Sequence, residues 1–205
     1  MGEDPRSETV EDPPLLYTSD FEGWAWGFGD YSRSEIQGLE YSTRYLLRIL
    51  QTEGPFVGIV GFSTGATMAM ILVTLVERGA PPEVMKAFQL NASVSSIVWH
   101  AMALKAQDSH FSVQVLPPSF KFAIISSGVT LSHPRYKQFY YPEIQTPVLH
   151  FIEEFDTHIP NTDMLRLSRV CKNCTTVRHP GAHFMPRYRH CQLAMSKFII
   201  EHLRK

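Results

Sequence analysis

Cysteine is scarce in this chain: Cys171, Cys174 and Cys191 are the only three in 205 residues. An odd, sparse set excludes a disulfide framework and suits a reducing compartment. Cys171 and Cys174 form a Cys-x-x-Cys, but they follow a predicted helix and precede a predicted strand. A redox motif has the reverse order, and zinc would need two further ligands of similar spacing. The pair therefore reads as ordinary thiols. Neither charge dominates, with 19 Lys and Arg against 20 Asp and Glu. That balance excludes the basic stripe of a nucleic-acid binder. No apolar run approaches membrane-spanning length. The start, Met1-Gly-Glu-Asp-Pro-Arg-Ser-Glu8, has no apolar secretory segment. The 9 histidines are scattered without local metal-ligand spacing. These absences lead us to expect a cytoplasmic protein with no membrane or nucleic-acid partner, no metal and no organic cofactor.

What is present is globular. Apolar residues make up 44% of the chain, enough to bury a sizeable core in one domain. Residues 1–14, rich in Glu, Asp, Pro and Ser, read as a mobile arm, and residues 15–205 as a single domain. Phe21 to Tyr31 is dense in aromatics and glycine. It cannot form a regular helix and carries too much apolar area for water, so it covers either a substrate groove or the core. Residues 34–53 have helical periodicity, with an apolar stripe of Ile36, Leu39, Tyr45, Leu46, Ile49 and Leu50. Residues 83–118 are less legible and fall where a lid or insertion would sit. Strands are expected at Phe56–Val60, Phe120–Ser126, Pro147–Ile152 and Thr175–Arg178. Helices are expected from about 65 to 77, from Asn161 to about Val170, and from Cys191 to Arg204. Strands alternating with helices imply an α/β fold with a mostly parallel sheet.

The sharpest signal is Gly61-Phe62-Ser63-Thr64-Gly65, set between an apolar strand and an apolar helix. Gly-x-Ser-x-Gly in that setting is a nucleophile elbow, which lifts a serine hydroxyl above the sheet edge. The Thr64 N–H would then face a developing oxyanion. The alternative is a tight turn carrying an inert serine.

A serine needs a base, and the base needs an orienting acid. Asp156 and His183 each lie just past a predicted strand, in the order serine, acid, histidine. Glu153 and Glu154 are alternative acids, close to their strand. His158 and His179 are alternative histidines, and Gly181 lends the His183 loop a loose backbone.

Three phrases together resemble the fungal family of serine hydrolases: Gly54 to Ala66, Lys121 to Gly128, and His179-Pro-Gly-Ala-His-Phe-Met-Pro186. The resemblance covers roughly residues 20–203. It implies a small α/β-hydrolase acting as an esterase or thioesterase, with Ser63 as nucleophile, Asp156 as acid and His183 as base. Three departures stand out. Thr64 replaces the family's usual glutamine. Glu153-Glu154 replaces a glycine in the acid loop. The family's opening strand and His-Gly turn, source of the second oxyanion donor, have no counterpart before Phe56. The expectation is an amino-terminally truncated hydrolase, with one flank of the elbow strand unpaired.

The implied substrate is a small ester or thioester. The resemblance extends this to release of a polyketide or acyl product in fungal secondary metabolism, with an acyl-carrier domain of a polyketide synthase as partner. The other expectation is a catalytically impaired relic or binding protein with an incomplete oxyanion hole.

Overall fold

The computed structural model describes residues 25–31, 33, 35–78 and 119–204. The expectations for residues 1–14 and 83–118 lie outside them. Four strands form one parallel sheet in the order β1 (Gly58–Phe62), β2 (Phe122–Ser126), β3 (Val148–Glu153) and β4 (Cys174–His179). Around it lie α1 (Leu39–Thr52), α2 (Thr64–Arg78), a 3-10 turn at Pro134–Phe139, α3 (Asn161–Arg169) and α4 (Arg189–Leu203).

Alternation along β2 builds two cores. Ala123 and Ile125 face the apolar cluster formed with α1, α2 and Leu167 of α3. Phe122 and Ile124 face the opposite cluster, with Leu149, Phe151 and the α4 residues Cys191 and Phe198. A strand covered on both faces must be apolar throughout, and every residue of β2 is buried. Each large side chain so buried contributes about 1.5–3 kcal/mol. The parallel α/β expectation holds.

Several boundaries move. The first helix begins at Leu39, not near residue 34, because Gly38 adopts a left-handed backbone with φ 82°. Ile36 is buried outside the helix, and Gln37 bridges to Phe28. The core face of α1 is Leu39, Thr43, Leu47 and Leu50. Tyr45, expected inward, is exposed. The elbow strand starts at Gly58 rather than Phe56. Among the described residues β1 pairs only with β2, and Val60 is 57% exposed.

In a parallel sheet all carboxyl ends share one edge. Ser63, Ser127, Asp156 and His183 all follow strand ends at that edge.

Candidate active site

Ser63 follows β1 directly and has φ 54°, a left-handed backbone unusual for serine. Its N–H donates to the Ser126 carbonyl at 2.9 Å, which ties the turn to β2. Its own carbonyl accepts from Ala66 and Thr67 at 2.9 and 3.2 Å, so α2 starts at once. A Cβ on Gly61 would lie 2.5 Å from the Gly65 carbonyl oxygen and 2.6 Å from Ala66 Cα. Gly61 is therefore fixed by backbone crowding. Gly65 is different: its missing Cβ leaves room for Trp26, whose Nε1 would stand 3.2 Å away.

Trp26 of the aromatic segment thus packs against the elbow. Burial, with Tyr136 nearby, pushes the Tyr31 phenol up to about 12 against the lowering effect of the Thr64 side chain, so it stays protonated. Thr64 is the first residue of α2, where an N–H has no intrahelical acceptor.

Asp156 lies in the turn after β3, its side chain fully buried. One carboxylate oxygen accepts the N–H groups of His158 and Ile159 at 2.8 and 2.9 Å. The other meets His183 Nδ1 at 2.8 Å. Burial pushes this carboxyl up, but the His183 and backbone bonds outweigh it, and the group sits below its ordinary value. His183 also has a left-handed backbone, φ 68°, and its ring leans on Phe62, with centroids 5.0 Å apart. Among the described residues no hydrogen bond joins the Ser63 hydroxyl to His183. In sites without substrate such bonds are often long and tighten only in the reacting complex.

The alternatives take other places. Glu154 is exposed. His179 is buried, its ring near Phe151, Phe184 and Tyr188, and desolvation keeps it neutral to lower pH than usual. Gly181 serves that ring rather than backbone freedom, since a Cβ there would lie 2.4 Å from His179 Cε1. His158 is exposed and stacks on His183. With Asp156 these two histidines form the one cluster among the described residues able to hold a metal ion. Local spacing did not reveal it, because His183 comes from a distant loop.

Glu153 is the residue that sequence reasoning undervalued. It is fully buried at the end of β3. One oxygen accepts the hydroxyls of Ser127 at 2.6 Å and Ser126 at 3.3 Å. The other accepts the N–H groups of His183 and Phe184. Glu153 therefore holds the backbone of the histidine loop rather than its imidazole. The only sequence signal was a carboxylate where the resembling family has glycine.

The three cysteines are free, and burial raises the thiols of Cys171 and Cys174. No described helix is long and apolar enough to cross a membrane.

A family model described as serine hydrolase (FSH1) matches residues 3–195. The chain belongs to this serine hydrolase family. Over 151 residues it is 28% identical to a Schizosaccharomyces pombe protein named dihydrofolate reductase, covering 74% of the chain and 26% of that protein. Over 190 residues it is 26% identical to the zebrafish (Danio rerio) esterase OVCA2, covering 90% of the chain and 68% of that esterase. The chain thus spans between about a quarter and two thirds of these relatives' length. Among solved structures, Zea mays acyl-protein thioesterase 2 superposes with a TM-score of 0.52 at 15% identity. That match covers 87% of the chain and 72% of the thioesterase, and it carries the α/β-hydrolase fold alone.

Proposed function

We propose that this FSH1-family chain hydrolyses carboxylic esters or thioesters through Ser63, His183 and Asp156. The observation that carries the reading is the 2.8 Å bond between His183 Nδ1 and the buried Asp156 carboxylate, at the sheet edge where Ser63 turns. With Nδ1 so held, Nε2 is left to accept a proton. Ser63 Oγ attacks the carbonyl carbon, and its proton passes to His183 Nε2. The carbonyl oxygen becomes an oxyanion facing the Thr64 N–H. Collapse breaks the bond to the alcohol or thiol, which leaves with the proton from His183. Water then repeats the sequence on the acyl-serine and restores the enzyme.

Asp156 holds the tautomer and stabilises the imidazolium. One oxyanion donor is worth roughly 2.7–4 kcal/mol of transition-state stabilisation. Thr64 supplies that much only if its N–H meets the oxyanion.

The finer reading comes from family resemblance. In it the chain releases a polyketide or acyl product from a synthase's acyl-carrier domain, in the cytoplasm of a fungus. Trp26 and Tyr31, packed at the elbow, would border the acyl group.

Labelling with a fluorophosphonate probe tests the reaction. Wild type should label and Ser63→Ala should not. A folded wild-type protein that stays unlabelled would favour an impaired relic. Turnover of acyl thioesters against oxygen esters then separates the substrate classes.

A further inference from the structure

Tertiary folding brings to the Asp156–His183 pair a side chain that the hydrolytic reading does not use. The His158 ring stacks on His183, with centroids 4.7 Å apart and planes inclined by 28°. One ligand atom from each of Asp156, His158 and His183 lies within 4.8 Å of the others.

We propose that His158 and His183 form a site for a divalent cation of the zinc class, and that an ion held there blocks His183 as a base. The blocking rests on the serine-hydrolase reading above; the binding does not.

The ring spacing suits a shared ion. Zinc binds imidazole nitrogen at about 2.0–2.1 Å, so two imidazoles on one tetrahedral ion have centres roughly 5 Å apart. The observed separation is 4.7 Å. His158 is exposed, so its ring can turn toward an ion held on His183. The supporting groups are also in place. His183 Nδ1 is held by the Asp156 carboxylate at 2.8 Å, and among the described residues its Nε2 has no hydrogen-bond partner. His158 Nδ1 lies 3.3 Å from the Thr157 hydroxyl, and among the described residues its Nε2 has no hydrogen-bond partner. A histidine held by a carboxylate through one nitrogen presents the other as an oriented, more basic ligand. Asp156 is itself fixed by the N–H groups of His158 and Ile159. The same hydrogen bond that orients a catalytic histidine therefore orients a metal ligand. Exposure of His158 gives water access to the remaining coordination positions. An ion on His183 Nε2 occupies the lone pair that would take the Ser63 proton.

The test titrates zinc chloride into the purified chain against a fluorescent zinc indicator, for wild type, His158→Phe and Cys174→Ser. The phenyl ring keeps the stack on His183 and removes the ligand. We expect one bound zinc, weakened at least tenfold by His158→Phe and unchanged by Cys174→Ser. Absence of binding overturns the proposal. So does affinity indifferent to His158→Phe, or affinity lost through Cys174→Ser. In parallel, zinc should slow probe labelling of Ser63 in wild type, EDTA should restore it, and His158→Phe should label equally fast with or without zinc. Equal zinc sensitivity in both proteins overturns the block. If neither protein labels even without zinc, the hydrolase reading fails, and the indicator titration still decides the site.

Discussion

Glu153 shows how much one buried side chain can fix. Its carboxylate takes four donors, two hydroxyls from the end of β2 and two backbone N–H groups from the His183 loop. Glu153→Gln turns one oxygen into a donor facing other donors. A buried group left unsatisfied costs about 1–3 kcal/mol. For a chain of this size that lowers Tm by roughly 2–12 °C. The histidine loop also loosens, so kcat should fall while KM changes little. Thermal melts and steady-state kinetics on one ester would check both; an unchanged Tm and kcat would remove Glu153 from the positioning role. Left-handed backbones tell a similar story. Ser63, Ser127 and His183 are the non-glycine residues with positive φ among the described residues, and all sit at the site edge. Such strain persists where surrounding structure over-determines it.

At the scale of elements, the elbow is one unit built from β1, α2 and the Trp26 loop. Its two glycines answer to different constraints. Gly61→Ala would drive a methyl into the backbone of α2, which cannot yield, so a loss of about 2 kcal/mol or more is expected. Gly65→Ala meets only the Trp26 indole, which can shift. Its cost should be near 1 kcal/mol and should shrink in a Trp26→Ala background, so the double mutant is destabilised by less than the sum of the singles in a double-mutant cycle. Denaturant melts of the four proteins would measure it. Equal costs for the two glycines would contradict this account. The helices were legible where periodicity was strong: α3 and α4 lie within two residues of expectation. The start of α1 was not, because the backbone of Gly38 breaks the helix while Ile36 stays buried beyond it.

Across the whole molecule, His150 couples the sheet to α3 and sets an acid limit. It is buried on β3, with Nδ1 on the Ser168 hydroxyl at 2.8 Å. Burial pushes its pKa down to about 3. The unfolded chain binds the proton near the usual histidine value of about 6.5, so protonation favours unfolding. The stability is complete above that value and is lost as pH falls from about 6.5 toward about 3. The slope is at most about 1.4 kcal/mol per pH unit. Asp156 acts in the same direction, since its lowered pKa gives stability that is present above the ordinary carboxylate range and lost below it. Stability measured from pH 7.5 to 5 should fall in wild type and fall less in His150→Phe. Parallel curves would show that His150 is not the sensor.

Read alone, the sequence determined the parallel α/β class and nominated Ser63, Asp156 and His183 as candidates at strand ends. These rest on local rules: hydrophobic period, turn-forming glycines, and residues placed just past strand ends. Tertiary structure decided which groups meet. It set the Asp156 carboxylate on His183, turned Glu153 into an anchor for a loop thirty residues away, and stacked His158 on the same imidazole. It also packed Trp26 over Gly65. The reason is physical: a parallel sheet gathers the ends of distant strands at one edge, and no spacing along the chain records which side chains converge there.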